Sequence, residues 1–129
     1  MANEDPLFGI HPAAMQLQRR RMELIAANIA NADTPGFQAR DLDFREALAS
    51  AQASAAAPLQ THAAHLGVGA GASSPQPEYR VPTQPAADGN TVDVQIEQAQ
   101  FADAALRYKA SLSFLDARIK SLITALTGQ

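Results

Sequence analysis

The 129-residue sequence contains no cysteine, which rules out disulfides and thiolate metal sites while leaving the redox compartment open. Positive charge is not in excess either: 10 Lys and Arg stand against 13 Asp and Glu, for a net charge of -3. Neutralising phosphates requires a basic footprint, so this balance argues against nucleic acid as a partner. No run approaches the roughly 18 apolar residues of a membrane span. Glu4 and Asp5 occupy the start, where a cleavable secretion signal carries basic residues and then an apolar stretch. Large apolar side chains are also scarce. Hydrophobic residues make up 47%, but much of that is Ala, and Ile, Leu, Val and Phe together supply roughly a fifth of the chain, close to the lower bound for sequences that fold. The expected core is small.

What is present divides the chain into two helical ends and a poor middle. The N-terminal stretch from about Pro12 to Ala32 has no internal Gly or Pro. Met15, Met22 and Ile29 recur every seven residues, with Ile25 between the last two, and Leu17 and Leu24 form a row on a neighbouring face. Pro12 suits a first-turn position. The helix must stop at Asp33-Thr34-Pro35-Gly36-Phe37, where Pro35 presets φ at turn position i+1 and Gly36 accepts the positive φ of position i+2 in a type II turn. Residues 1–37 are therefore read as a helix and turn. Residues 38–57 are read as a short Ala-rich helix capped by Asp43, with Glu46 at capping-box spacing. Five Pro and four Gly fall between Pro58 and Gly89, so 58–90 is expected to be irregular, with at most an extended piece at Tyr79 to Val81.

Residues 91–129 give the strongest periodicity. Phe101, Ala105, Tyr108, Leu112, Leu115, Ile119, Leu122 and Leu126 alternate spacings of four and three, as a heptad seam does. Asp103 with Arg107 and Asp116 with Lys120 are favourable i,i+4 pairs, and Gly128 is a helix stop. The spacing predicts one helix over Thr91 to Thr127. Ala99, Leu106, Ala110, Phe114 and Ala117 form a second apolar strip on it. A helix apolar on two sides is normally surrounded by neighbours, and the shorter N-terminal helix cannot cover both strips. The fold class expected is all-α, with the two terminal helices packed as a coiled-coil-like hairpin and part of their surface left for something outside the chain.

Residues that could suggest chemistry have simpler readings. His62 and His65 are i,i+3, but no third ligand accompanies them. Asp41, Asp43 and Glu46 form a carboxylate cluster without a nearby nucleophile or His, and capping explains two of the three. Arg19, Arg20 and Arg21 ring their helix instead of making one basic patch, which suits a solvated or interface-pairing role. No catalytic residue, cofactor, metal or small-molecule substrate is expected. Asn28 and Asn31 sit in a helix where Asn is mildly disfavoured, so they either serve the helix end or make hydrogen bonds that matter to packing.

The stretch Asn28-Ile29-Ala30-Asn31-Ala32-Asp33-Thr34-Pro35-Gly36-Phe37 resembles the signature of the bacterial flagellar rod, hook and hook-junction axial proteins, Asn-x-Ala-Asn-x-x-Thr-Pro-Gly-aromatic. Ala39 to Phe44, Thr61 to Leu66, and Tyr79-Arg80-Val81-Pro82 leading to Asp88-Gly89-Asn90-Thr91-Val92-Asp93 narrow the resemblance to the basal-body rod family and its proximal member. Phe37 and Gln38 stand where that family more often has Tyr and a basic residue, and Ala63 stands where a Pro is common. The resemblance implies an inner layer of terminal helices and export through the flagellar type III apparatus without a cleaved signal. It also implies a position at the rod base across the periplasm, near the MS ring, the export gate and the adaptor protein, with other rod proteins above. Residues expected at the assembly interface are Met22, Ile25 and Ile29 on one helix and Tyr108, Leu112, Leu115, Ile119 and Leu122 on the other, building an open helical array by self-association. Another axial rod protein is one alternative. A soluble regulatory coiled coil such as an export chaperone is a second, and it predicts a stable dimer in isolation. An enzyme is the weakest, because no nucleophile, base and orienting group can be assembled.

Overall fold

A computed structural model describes residues 7–55, 76–82 and 86–128. Helix α1 spans His11–Ala30, strand β1 Arg40–Asp41, helix α2 Phe44–Ala55, strand β2 Glu78–Tyr79 and helix α3 Val94–Thr127. Pro12 lies in the first turn of α1, where its missing N–H costs nothing. The predicted turn follows α1. Phe37 N–H donates to the Thr34 carbonyl at 3.2 Å, and Gly36 sits at φ +72°, as the type II reading requires.

Two helix starts are fixed by Asp side chains. Asp43 Oδ1 accepts from Glu46 N–H at 3.0 Å just before α2, and Asp93 Oδ1 accepts from the N–H groups of Gln95 and Ile96 before α3. The cap at Asp93, itself extended, places the start of α3 three residues later than the periodicity predicted, and Thr91 is engaged with Phe37 and Ala39. Gly128, at φ +71°, ends α3 with its N–H on the Thr124 carbonyl. The extended piece expected at Tyr79 to Val81 falls earlier, as the two-residue β2, and shares only Tyr79 with the expected span. It pairs antiparallel with β1 in the register Arg40↔Tyr79 and Asp41↔Glu78.

Helices α1 and α3 form an antiparallel hairpin. Asn28 near the end of α1 meets Glu97 near the start of α3, and the His11 ring stacks on Phe114 at the other end, with centroids 5.5 Å apart. The residues buried along these two helices are mainly small or polar: Ala13, Ala14, Gln18, Asn28, Glu97 and Ala104, with Leu17 and Ile25 as the large apolar members. Leu17 joins Leu42 and Ala47 in a core cluster, flanked by Leu24, Phe44 and Leu48, which seats α2 against one side of α1. Because α3 has 34 residues to the 20 of α1, its last turns, past Phe114, run beyond the start of α1 by about 20 Å.

The heptad row is not buried as one seam. Tyr108, Leu115 and Leu122 are half-buried, whereas Phe101, Leu112, Ile119 and Leu126 are exposed, Leu126 to 88%. The line of α3 that meets α1 starts at Glu97 and Ala104 and continues through Tyr108, Leu115 and Leu122, so one half of the apolar row flanks the contact while Phe101, Leu112 and Ile119 are turned roughly 40–60° away from it. Polar pairing and small side chains, not the longest apolar row, set the contact. The second strip is also open: Ala99, Leu106, Ala110 and Ala117 are exposed, as is Phe114 apart from its stack with His11.

Candidate functional site

Two features distinguish the hairpin: a polar clamp at one end and an exposed apolar face among the described residues. The clamp is built from the turn motif and the segments that follow it. Asn28 is buried, and its amide works on both sides. Its Nδ2 donates to the Arg40 carbonyl at 2.8 Å and to Glu97 Oε2 at 3.1 Å, and its Oδ1 accepts from Arg40 N–H at 3.0 Å. Asn28 thus acts on packing, holding β1 and α3 to α1. Asn31 serves the helix end instead: its Nδ2 donates to the Ala27 carbonyl at 2.8 Å, and Thr34 Oγ1 donates to its Oδ1 at 3.3 Å.

Carbonyls of the turn that follows α1 are taken by a residue from the far side of the sequence. Asn90 is buried, and its Nδ2 lies within 3.1 Å of the carbonyls of Asn31, Ala32 and Thr34. Gly36 N–H donates to the Asp88 carbonyl at 2.9 Å, and Thr91 N–H to the Phe37 carbonyl at 3.0 Å. Ala39 N–H then donates to Thr91 Oγ1 at 2.7 Å. A Cβ on Gly89 would lie 3.7 Å from the Gly36 Cα, so the two glycine turns stack closely. The motif Asn28 to Phe37 and the stretch Asp88 to Asp93 are therefore one structural unit. Ala30, Thr34, Pro35 and Gly36 lie on its surface, and Phe37 is half-buried.

Beside this unit five side chains interlock. Arg21 donates to Asp41 through a fork, Nε to Oδ1 and Nη2 to Oδ2, both at 2.9 Å. Arg80 Nη2 donates to Asp41 Oδ2 at 3.0 Å and to Gln100 Oε1 at 2.7 Å, and its Nη1 pairs with Glu97 Oε1. Burial pushes the Asp41 carboxyl up, but the Arg21 fork, the Leu42 N–H and the charges of Arg21 and Arg80 outweigh it and hold the group below its ordinary value. The hydrogen bonds to Asp41 raise Arg21 above its own. Sequence reasoning left Asp41 and Arg80 without a role, because their partners lie 17 to 39 residues away.

The second feature follows from helix geometry. Successive residues turn by about 100°, so Met15, Met22 and Ile29 lie to one side of the buried line Gln18–Ile25, and Leu17 and Leu24 to the other. On α3, Phe101, Leu112 and Ile119 lie to one side of Glu97–Ala104, and Gln100 and Arg107 to the other. Leu17 and Leu24 pack toward α2, and Gln100 reaches Arg21 and Arg80, so this face carries α2 and the clamp. The opposite face carries the half-buried Met15, Met22 and Ile29 beside Phe101, Leu112 and Ile119, the last three between 37% and 47% exposed. Among the expected interface residues the structure brings Met22, Ile29, Leu112 and Ile119 onto this face. Tyr108, Leu115 and Leu122 lie half-buried beside them. Ile25 is different: it is fully buried within the chain and serves its own core.

His62 and His65 lie outside the described residues, as does most of 58–90. Among the described residues no three His, Asp or Glu side chains are grouped as metal ligands, and no helix is long and apolar enough to cross a membrane.

Comparison with known proteins gives this geometry its context. Residues 10–38, which are α1 and the turn, match the flagella basal body rod protein family. Over nearly the whole chain the sequence is similar to flagellar basal body rod proteins FlgB. It is 42% identical to that of Cereibacter sphaeroides over 95% of this chain and 94% of the relative. It is 43% identical to that of Aeromonas hydrophila over 97% and 96%, and 44% identical to that of Escherichia coli K12 over 95% and 94%. The turn that ends α1, the clamp that ties it to α3 and this full-length similarity place the chain in the FlgB family of flagellar basal body rod proteins.

Proposed function

We propose that the chain is a structural subunit of the proximal rod and that it assembles through the face bearing Met15, Met22, Ile29, Phe101, Leu112 and Ile119. The observation that carries this reading is the alignment of two helical rows into one continuous apolar face, on the side of the hairpin away from α2 and the clamp. A contiguous exposed apolar surface of this kind marks a contact with another protein. Neighbouring subunits offering a different patch would form a heterologous interface, and a rotation that does not close builds a helical array. The overhanging end of α3, with Leu122, Ile123 and Leu126, extends that surface along the axis. Belonging to this family makes the chain a structural component of the basal body and not an enzyme.

The finer placement belongs to the same proposal. The subunit is exported through the flagellar type III apparatus without a cleaved signal and takes its place at the rod base across the periplasm. Its neighbours there are other rod proteins, the adaptor protein, the MS ring and the export gate.

The natural absence of cysteine supplies the test, since introduced thiols are the only ones in the chain. Met22→Cys and Leu112→Cys are expected to cross-link to neighbouring subunits in purified basal bodies, and Arg45→Cys, on the outer side of α2, is not. If purified basal bodies contain the chain but neither Met22→Cys nor Leu112→Cys cross-links, this face is not the interface. If they lack the chain, the rod assignment itself fails.

A further inference from the structure

Glu97 is the one charged side chain among the buried polar residues described. It is fully buried, one turn into α3, and α1 offers it a single donor, the Nδ2 of Asn28 at 3.1 Å. An ionised carboxylate in such a place needs a cation as well as hydrogen bonds. The cation comes from neither helix. It is Arg80, directly after β2, whose Nη1 pairs with Glu97 Oε1. Arg80 is itself placed by the strand pair: its backbone N–H donates to the Ala39 carbonyl at 2.8 Å, and its Nη2 rests on Asp41 Oδ2 and Gln100 Oε1.

We infer that Arg80 is a latch that makes closure of the α1–α3 hairpin conditional on docking of residues 78–80 against β1. With β2 undocked, bringing α1 and α3 together buries the Glu97 carboxylate against one amide. With β2 docked, the guanidinium arrives already oriented by Asp41 and Gln100. The terminal helices are thus prevented from pairing as bare elements, although they are the parts of the chain with the strongest helical pattern. The inference rests on distances within one chain and is independent of the proposed assembly.

The latch differs from an ordinary ion pair in which group is stranded when Arg80 is lost. Asp41 keeps its Arg21 fork, so Glu97 alone is left without a cation. Amide exchange of the purified full-length chain therefore distinguishes the cases, compared across wild type, Arg80→Ala, Arg80→Ala with Glu97→Gln, and Arg80→Ala with Asp41→Asn. Removing one partner of a buried pair is strongly destabilising, so Arg80→Ala is expected to speed exchange of residues 97–111 by roughly a hundredfold or more. Adding Glu97→Gln removes the stranded charge while keeping an acceptor for Asn28, and is expected to recover at least about tenfold of that loss. Adding Asp41→Asn recovers none. If Arg80→Ala is too unstable to measure, recovery of protection in the Arg80→Ala, Glu97→Gln chain still decides the matter. The inference is overturned if exchange changes only near residues 39–41 and 78–82, if Glu97→Gln gives no recovery, if Asp41→Asn recovers as much, or if residues 97–111 of the wild-type chain show no protection.

Discussion

Arg21 grips Asp41 with two parallel hydrogen bonds of 2.9 Å, and this fork ties the middle of α1 to the first strand twenty residues later. Its pH dependence has a definite sign. Asp41 is held below its ordinary value of 3.8, so its contribution to stability is fully present above that value and is lost as pH falls through the lower native one. Urea midpoints of the wild-type chain are expected to hold steady from neutral pH to about 5 and to decline in the acid range below 4. Asp41→Asn should start from a lower midpoint and show a shallower decline. An equal decline in both chains would place the acid sensitivity elsewhere.

Asn28 presents a different chemistry at the same end of the hairpin. Its amide donates twice and accepts once, to partners on β1 and α3. Asn28→Ala strands the part-buried carbonyl and N–H of Arg40 and removes one donor from the buried Glu97, at about 1–3 kcal/mol. Asn28→Asp is nearly isosteric but loses the donors and sets a second carboxylate against Glu97. It is expected to be the worse of the two, by roughly another 1–2 kcal/mol. Denaturant unfolding of the two variants checks the order, and a milder Asn28→Asp would mean that its donors are not the groups that matter.

The ends of these elements were legible in the sequence, and the contacts between them were not. Asp43 and Gly128 act on backbone groups within four residues of themselves and Gly36 sits in a turn of adjacent residues, so residue type and spacing suffice to place them, whereas the apolar spacing ran past the Asp93 cap and began α3 at Thr91. The Arg21–Asp41, Arg80–Glu97 and Asn90–Asn31 pairs join positions 17 to 59 residues apart, and nothing local marks one Arg as buried and its neighbour as solvated. Arg19 and Arg20 illustrate the point: both only approach the exposed Glu23, at 3.9 and 3.8 Å. The heptad row was visible for its length, but periodicity reports that a face is apolar without saying what covers it. Here α1 is steered by Asn28 and Glu97 onto the neighbouring line, and Leu112 and Ile119 are left facing outward.

That distinction separates Ile25 from Leu112, two residues of similar size read from the sequence as one interface. Ile25→Asp buries an unpaired charge and should cost several kcal/mol, abolishing the fold. Leu112 is 47% exposed, and Leu112→Asp is expected to change monomer stability by no more than about 0.5–1 kcal/mol. Both should stop swimming, the first with loss of the protein and the second with the chain present at normal levels but no rods built. Normal rods in the Leu112→Asp strain would remove this face from the interface.

The overhang of α3 makes a prediction about the free chain. Residues 97–111 lie against α1 and under the clamp, whereas 119–127 have no α1 residue opposite them. A helical end of that length without a partner is marginal in water. Amide exchange should be slow in the first stretch and close to the unprotected rate in the second, and assembly into basal bodies should slow the second. Equal protection of both in a verified monomer would show that another part of the chain covers the overhang.

The last prediction concerns the turn. Gly36 sits at φ +72° with the Phe37 N–H on the Thr34 carbonyl, and a Cβ built on it meets nothing within 4 Å. Substitution there costs backbone conformation and not space. Gly36→Asn should be mildest because Asn tolerates this region, and Gly36→Ala should cost about 1 kcal/mol. Gly36→Val, β-branched, should cost more still. The strain falls on a position that matters, because Gly36 N–H also donates to the Asp88 carbonyl and so links the turn to the Asn90 cap of α1. A chain that relieves the strain by rotating Gly36 to negative φ must give up that bond and redirect Phe37, whose carbonyl receives Thr91. Stability and rod assembly are therefore expected to fall together in the order wild type, Asn, Ala, Val. A Val variant as stable and as motile as the Asn variant would mean that the turn reaches its function without positive φ at this glycine.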